Sequence, residues 1–250
     1  MMAKISPLRA TNLTHNVLLK QLISKGRLIG ISILGLLPIL LGWVIGRQSE
    51  DPLEAGVGFV SYMGLSILIP VIALIFASAS LGDTREDGTL VYLWLRPIPR
   101  WSVTGGAWAA SVTITLPLTV IPMVIAAILL DAGNALISAT ILTSILAVCA
   151  YCGIFLLLGL MVKNPVLWGL AYIFVWEATI ASFAKPAASL AVSGYSRAII
   201  TGRTGVEFDY LFSPSQGTSI FMLIIIVVAA IGLSTAVSYT HLTLPTILLV

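Results

Sequence analysis

Glu177 is the one acidic residue inside the long apolar segments of this sequence, and it is the first candidate for chemistry. An ionisable group within a membrane span costs about 2.5 to 3.5 kcal/mol to insert, so it normally faces a bundle interior or water, where it can act as a proton or ion site. Glu177 also precedes Lys185 by only about two helical turns, which fits a capping or pairing role near the membrane surface. The sequence leaves both interpretations open.

The sequence offers no other set of residues that predicts catalysis. His15 lies in the amino-terminal segment and His241 in the last ten residues, so neither joins a metal set or a Ser/His pair. The chain lacks the pattern G-x-x-x-x-G-K-[ST] and so has no P-loop for ATP. Cys149 and Cys152 form a C-x-x-C in an apolar run, where packing in a helix is favoured over redox chemistry. We therefore expect no enzymatic activity and no catalytic, cofactor-binding or metal-binding residues.

The composition predicts that these residues are carried by membrane helices. Of the 250 residues, 58% are hydrophobic and 9% are charged, whereas soluble domains contain about 25% charged residues. The mean hydropathy is +1.06, and the apolar runs do not alternate with polar residues as barrel strands do. The predicted fold is an all-α polytopic membrane protein whose six transmembrane helices lie at about 28–46, 57–81, 103–130, 135–162, 166–184 and from 218 onward.

The amino-terminal segment, residues 1–27, combines basic side chains with scattered apolar residues. Such a pattern predicts an amphipathic helix that lies on the membrane surface. The apolar residues that define the pattern are Leu13, Val17, Leu18 and Ile23.

The distribution of basic residues predicts the orientation. Of the 13 Lys and Arg residues, five lie in 1–27, three in 82–101, and one is Lys163. Because short basic loops remain in the cytoplasm, we expect a cytoplasmic amino terminus. These residues form no basic stripe of the kind that binds nucleic acid, so no nucleic-acid partner is expected.

The last residues differ in character from the preceding helix. Residues 237–246 interrupt an apolar run with polar residues and a proline, and 237–250 resemble one reading frame of a transposase sequencing adapter. We expect native sequence up to about Ala236, in which case His241 has no chemical role. A native tail is the alternative.

The connection 82–101, between the second and third spans, is the most informative stretch. Acidic residues precede Gly88 and Thr89, apolar residues follow at helical spacing, and Pro97 ends the helix before Arg100 leads back to the membrane. A short helix held between two spans transmits a displacement and so suits contact with a soluble partner. A simple solvated loop is the alternative.

This connection resembles the first cytoplasmic loop of ABC-2 type transporter permeases, whose pattern is E-x-x-x-G-T-L-x-x-L followed by Pro and Arg. In this sequence Asp83 stands in place of the upstream glutamate of the family. The Trp176-Glu177 pair and residues 189–195 are also similar to certain bacterial permeases of the group. By this resemblance, an ATPase-docking loop comprises Asp83, Arg85, Glu86, Asp87, Gly88, Thr89, Leu90, Leu93, Pro97 and Arg100.

The resemblance implies a six-helix ABC-2 type transmembrane domain over residues 28–236, preceded by the cytoplasmic segment 1–27. It places the chain in the cytoplasmic membrane, surrounded by lipid, with an ABC ATP-binding subunit and a second permease copy or sister permease as partners. ATP hydrolysed by the partner would then drive export. Two other functions remain open, namely a secondary carrier that uses Glu177 as its ion or proton site, and a membrane scaffold that recruits an ATPase without transport.

Overall fold

The computed structural model describes residues 6–86, 99–206, 208 and 210–240, and these ranges contain helices and no strand. Six helices are long and apolar enough to cross a membrane, which confirms the predicted all-α polytopic fold. The spans are Lys25–Gln48, Pro52–Asp83, Arg100–Leu129, Gly133–Met161, Pro165–Phe183 and Gln216–Ser238.

The second span begins five residues before the predicted start. Asp51 accepts hydrogen bonds from the backbone N–H groups of Leu53 and Glu54 at 3.1 and 3.2 Å, and Pro52 occupies the first helical turn. An aspartate N-cap followed by proline is a strong start signal for a helix. The cap therefore extends this helix beyond the apolar run by which the sequence locates it.

Both the second and the fifth spans contain a π-helical segment. These segments are Val60–Leu68 and Tyr172–Ile180, each flanked by α-helix, and they contact each other in the bundle. The apolar pattern predicts continuous spans and gives no sign of the altered helical pitch. Because π turns occur frequently at functional sites, they direct attention to the residues that they hold.

The second and fourth spans form the centre of the bundle and pack along each other. The largest buried side chains, Phe76, Tyr151 and Phe155, all come from these two helices. The first, fifth and sixth spans expose most of their apolar surface. That surface matches a lipid environment, since no polar face is needed toward hydrocarbon.

The N-terminal helix, Pro7–Leu22, packs against the third span. Its buried stripe runs at intervals of four residues through Ala10, Thr14, Leu18 and Leu22. Leu13 and Val17, which the sequence pattern groups with Leu18, are 53% and 60% exposed. Of the predicted apolar residues, Leu18 therefore lies on the packed face, and Thr14 of that face lies close to Gly106 of the third span.

Replacing Gly106 with alanine is expected to loosen the N-terminal helix. A Cβ atom added at Gly106 would lie 2.8 Å from Thr14 Cβ and 2.9 Å from the Thr11 carbonyl oxygen, whereas one added at Gly105 would meet nothing within 4 Å. Overpacking of this kind costs about 1 to 3 kcal/mol. In an Ala10→Cys reporter whose two native cysteines are replaced by alanine, Gly106→Ala should raise the maleimide labelling rate roughly tenfold or more.

The neighbouring variant Gly105→Ala is the control and should label at the parent rate. Equal rates in both variants would contradict the packing of this helix on the third span.

The connection between the fifth and sixth spans contains a packed helix, Val192–Thr204, called here the loop helix. Val192, Ile199 and Ile200 are fully buried in it, while Leu190 is 68% exposed. The loop helix packs on the second, fourth and sixth spans, so most of its apolar residues contact protein. Its end of the bundle is called the loop end, and the end that holds the start of the first span is called the amino-terminal end.

Candidate functional site

At the amino-terminal end, Asp83 joins the second span to the first. Its Oδ2 atom forms an ion pair with Arg27 Nη2 at 2.9 Å, and both side chains are a little more than one third exposed. A pair this exposed contributes at most about 1 kcal/mol to stability. The ion pair instead holds the beginning of the first span next to the beginning of the predicted docking loop.

The helix of the second span continues without a break to Glu86. Arg85 and Glu86 therefore extend a membrane span, whereas the sequence places them in the connection after it. The remaining predicted loop residues lie outside the described residues, and these are Asp87, Gly88, Thr89, Leu90, Leu93 and Pro97.

Arg100, the last predicted docking residue, begins the third span. Its Nη1 atom donates a hydrogen bond to the carbonyl oxygen of Ser238 at 2.6 Å. A cation is favourable at that position, because the final carbonyl groups of a helix carry partial negative charge. Asp83 thus attaches one end of the predicted loop to the first span, whereas the partner of Arg100 at the other end belongs to the suspected adapter-derived tail.

A groove of about 500 Å³ opens beside the Arg27–Asp83 pair. Its walls come from the second and fifth spans, with Ile75, Leu167 and Leu170 among the apolar lining residues. The ion pair and Asn164 supply its polar rim. The groove belongs to the same end of the bundle as the predicted docking loop.

At the loop end, Glu177 lies in the π segment of the fifth span and is only 2% exposed. Its Oε2 atom accepts hydrogen bonds from the Tyr151 hydroxyl at 2.6 Å and from Ser193 N at 3.1 Å. Its Oε1 atom accepts from the Tyr172 hydroxyl at 2.8 Å and from Val192 N at 3.1 Å. Each carboxylate oxygen thus has two donors from this chain.

These contacts make Glu177 the N-terminal cap of the loop helix. The residue before that helix is Ala191, which has no side-chain acceptor for the free N–H groups of the first turn. Glu177 supplies the acceptor from a distant part of the sequence and places negative charge at the positive end of the helix dipole. The absence of Ser, Thr, Asp or Asn at position 191 is the sequence signal that a remote cap is needed.

Arg197 of the loop helix is a further polar residue that the sequence analysis does not single out. Its Nη2 atom donates to Ser66 Oγ at 2.7 Å, which attaches the loop helix to the π segment of the second span. The guanidinium also lies over the rings of Tyr62 and Tyr210. The available sequence signal was a single arginine directly before the apolar residues Ala198, Ile199 and Ile200.

The C-x-x-C pair makes ordinary packing contacts. Cys149 and Cys152 are both free thiols in the fourth span. The carbonyl of Cys149 accepts a hydrogen bond from Trp108 Nε1 at 3.0 Å, and the thiol of Cys152 lies 3.8 Å from Thr115 Oγ1. Both contacts join the third and fourth spans.

Within the described part of the chain, no group of three or more His, Cys, Asp or Glu residues is arranged to hold a metal ion. No protein-family model matches the sequence, and no curated protein matches it either.

Proposed function

We propose that this chain is the membrane-spanning permease subunit of an ATP-binding cassette exporter. The observation that carries the proposal is the uninterrupted helix from the centre of the bundle to Glu86, which leads directly into a loop that resembles the docking loop of ABC-2 type permeases. Asp83 connects the first end of that loop to the first span. A force on the loop therefore acts on several membrane helices together.

In the proposed mechanism, a separate ATP-binding subunit docks on the loop from the cytoplasm. ATP-driven closure of that subunit moves the loop and tilts the second and third spans. Because the second span packs along the fourth in the bundle centre, its movement changes the interface between those helices. A second permease copy or a sister permease completes the substrate pathway, and ATP itself binds only to the partner subunit.

The contacts of Glu177 favour this proposal over a secondary carrier. A proton or ion site needs access to its cargo, whereas Glu177 is almost fully buried and accepts four hydrogen bonds from its own chain. Carriers also use several intramembrane polar residues and broken helices at the membrane midplane. A scaffold that recruits an ATPase without transport shares the docking loop, so measurement of substrate movement distinguishes it from an exporter.

Co-purification with ATPases of the source cell tests the docking loop. We expect the wild-type protein to recover an ATP-binding subunit, and the Glu86→Ala, Gly88→Pro variant to recover about thirtyfold less or none. Truncation of central interface residues costs about 2 kcal/mol or more in binding free energy, which corresponds to that factor. Glu50→Ala, an exposed acidic residue at the loop end, is the control and should recover the wild-type amount.

Failure of the wild-type protein to recover any ATPase would overturn the proposal. A secondary carrier would then be the favoured function. Equal recovery by the docking-loop variant would place the ATPase contact elsewhere on the chain. Directional, ATP-dependent movement of a substrate in vesicles that contain both subunits would then separate an exporter from a scaffold.

A further inference from the structure

A cavity of about 200 Å³ lies at the loop end, away from the predicted docking loop. It is bordered by the loop helix, the π segment of the second span, the end of the fifth span and the residues that follow the loop helix. Its lining includes Tyr62, Ser193, Gly194, Arg197, Tyr210 and Phe212. The volume suits a small charged group, since drug-sized pockets occupy about 300 to 1,000 Å³.

Arg197 gives the cavity its positive charge. The centre of its guanidinium lies 5.5 Å from the ring centroid of Tyr62 and 5.6 Å from that of Tyr210. Among the described residues, no carboxylate forms an ion pair with it, and the buried acid at this end, Glu177, already accepts four hydrogen bonds. The arginine is therefore oriented by aromatic rings and Ser66 without being neutralised by them.

Three polar atoms in this region are buried without a hydrogen-bond partner, namely Arg197 Nε, Ser61 Oγ and the Tyr210 hydroxyl oxygen. The Ser61 hydroxyl is close to that of Tyr210, but the two lack the geometry of a hydrogen bond. Burial raises the pKa of Tyr210, so its phenol keeps its proton at neutral pH and remains a donor. Because buried polar groups are nearly always paired, the unpaired Nε of the cation and the two unpaired hydroxyls near it indicate a missing acceptor.

We propose that this cavity binds an oxyanion, the phosphate or carboxylate group of a ligand, through Arg197 and the neighbouring Tyr210 hydroxyl. A planar guanidinium matches such groups, and charge-assisted hydrogen bonds to them are among the strongest that proteins form. The oxyanion comes either from a phospholipid headgroup at the membrane surface or from a dissolved solute. The inference is independent of ATP-driven transport, because it rests on the loop end alone.

Thermal unfolding of the purified full-length protein in a neutral, phosphate-free detergent tests the site. One series receives inorganic phosphate, and a second receives phosphatidylglycerol. We expect at least one of them to raise the unfolding temperature of the wild type in a saturable way. A response to inorganic phosphate identifies a dissolved oxyanion as sufficient, and a response to phosphatidylglycerol alone identifies a lipid headgroup.

Arg197→Gln should weaken the apparent affinity at least about tenfold, because it removes the charge-assisted hydrogen bonds. Arg203→Gln is the matched control, since it removes the same charge from an exposed position of the same helix and should bind as the wild type does. Ser66→Ala removes the hydrogen bond to Arg197 but keeps the cation, so it should lower the unfolding temperature while the ligand response persists.

Two results would overturn the proposal. The first is a wild type that responds to neither ligand, as expected if a carboxylate of the chain already neutralises Arg197. The second is an equal loss of response in Arg197→Gln and Arg203→Gln, which would indicate general charge attraction instead of a site.

Discussion

Replacing Glu177 with alanine is expected to destabilise the protein by at least about 3 kcal/mol, because it leaves two phenols and two backbone N–H groups without their acceptor. Each buried donor that loses its partner costs about 1 to 3 kcal/mol, and these costs do not add fully when the groups rearrange together. The loop helix also loses its only observed N-terminal cap within the described structure. A large drop in the unfolding temperature of the purified protein is the measurement that checks this.

Glu177→Gln separates the capping role from an ion-carrying role. The glutamine side chain keeps one acceptor oxygen, so a cap predicts a stability between those of the wild type and Glu177→Ala. Tyr151→Phe and Tyr172→Phe remove one hydrogen bond each and should cost about 1 kcal/mol apiece. A Glu177→Gln protein of wild-type stability that has lost substrate movement would contradict the cap and support a carrier.

Replacing Gly159 with alanine is expected to separate the two central spans. The added Cβ atom would lie 2.6 Å from the Ser78 carbonyl oxygen and 3.2 Å from Ser78 Cα. Both are backbone atoms, so a change of side-chain rotamer cannot relieve the clash. Overpacking in a well-packed core costs about 1 to 3 kcal/mol, and we expect the upper part of that range here. The unfolding temperature should fall although alanine forms helices better than glycine does.

Gly232→Ala on the sixth span is the control for the glycine change itself. A Cβ atom added at Gly232 meets nothing within 4 Å, so the substitution should be neutral or slightly stabilising. If Gly159→Ala unfolds at the same temperature as Gly232→Ala, that result contradicts the close contact between the second and fourth spans.

The Gly159 contact also bears on the proposed mechanism. Ser78 lies in the same helix as Asp83 and Glu86, about one and a half turns before the predicted docking loop. Contact between backbones at this point leaves little room for the second span to move independently. Motion imposed on the loop should therefore reach the fourth span, which also contacts the loop helix at the opposite end of the bundle.

The six membrane spans could be predicted from the sequence, because the free energy of entering hydrocarbon depends mainly on the residues of each segment. Local signals also explain several boundaries, as Asp51 and Pro52 do at the start of the second span. The π segments could not be predicted in the same way, since their average hydropathy equals that of an ordinary helix and their pitch depends on the neighbours that they contact.

The sequence by itself determined that Glu177 is an unusual residue, because one acid in an apolar span is costly wherever it lies. Only the tertiary structure decided its role, since its partners Tyr151 and Val192 lie 26 and 15 residues away in the chain and meet it through helix packing. Arg197 became a candidate oxyanion-binding residue for the same reason. Its position beside Ser66 and Tyr210 depends on how the loop helix packs on the bundle. Insertion into the membrane is a local property of each segment, whereas the partner of a buried polar group is chosen by the arrangement of all the helices.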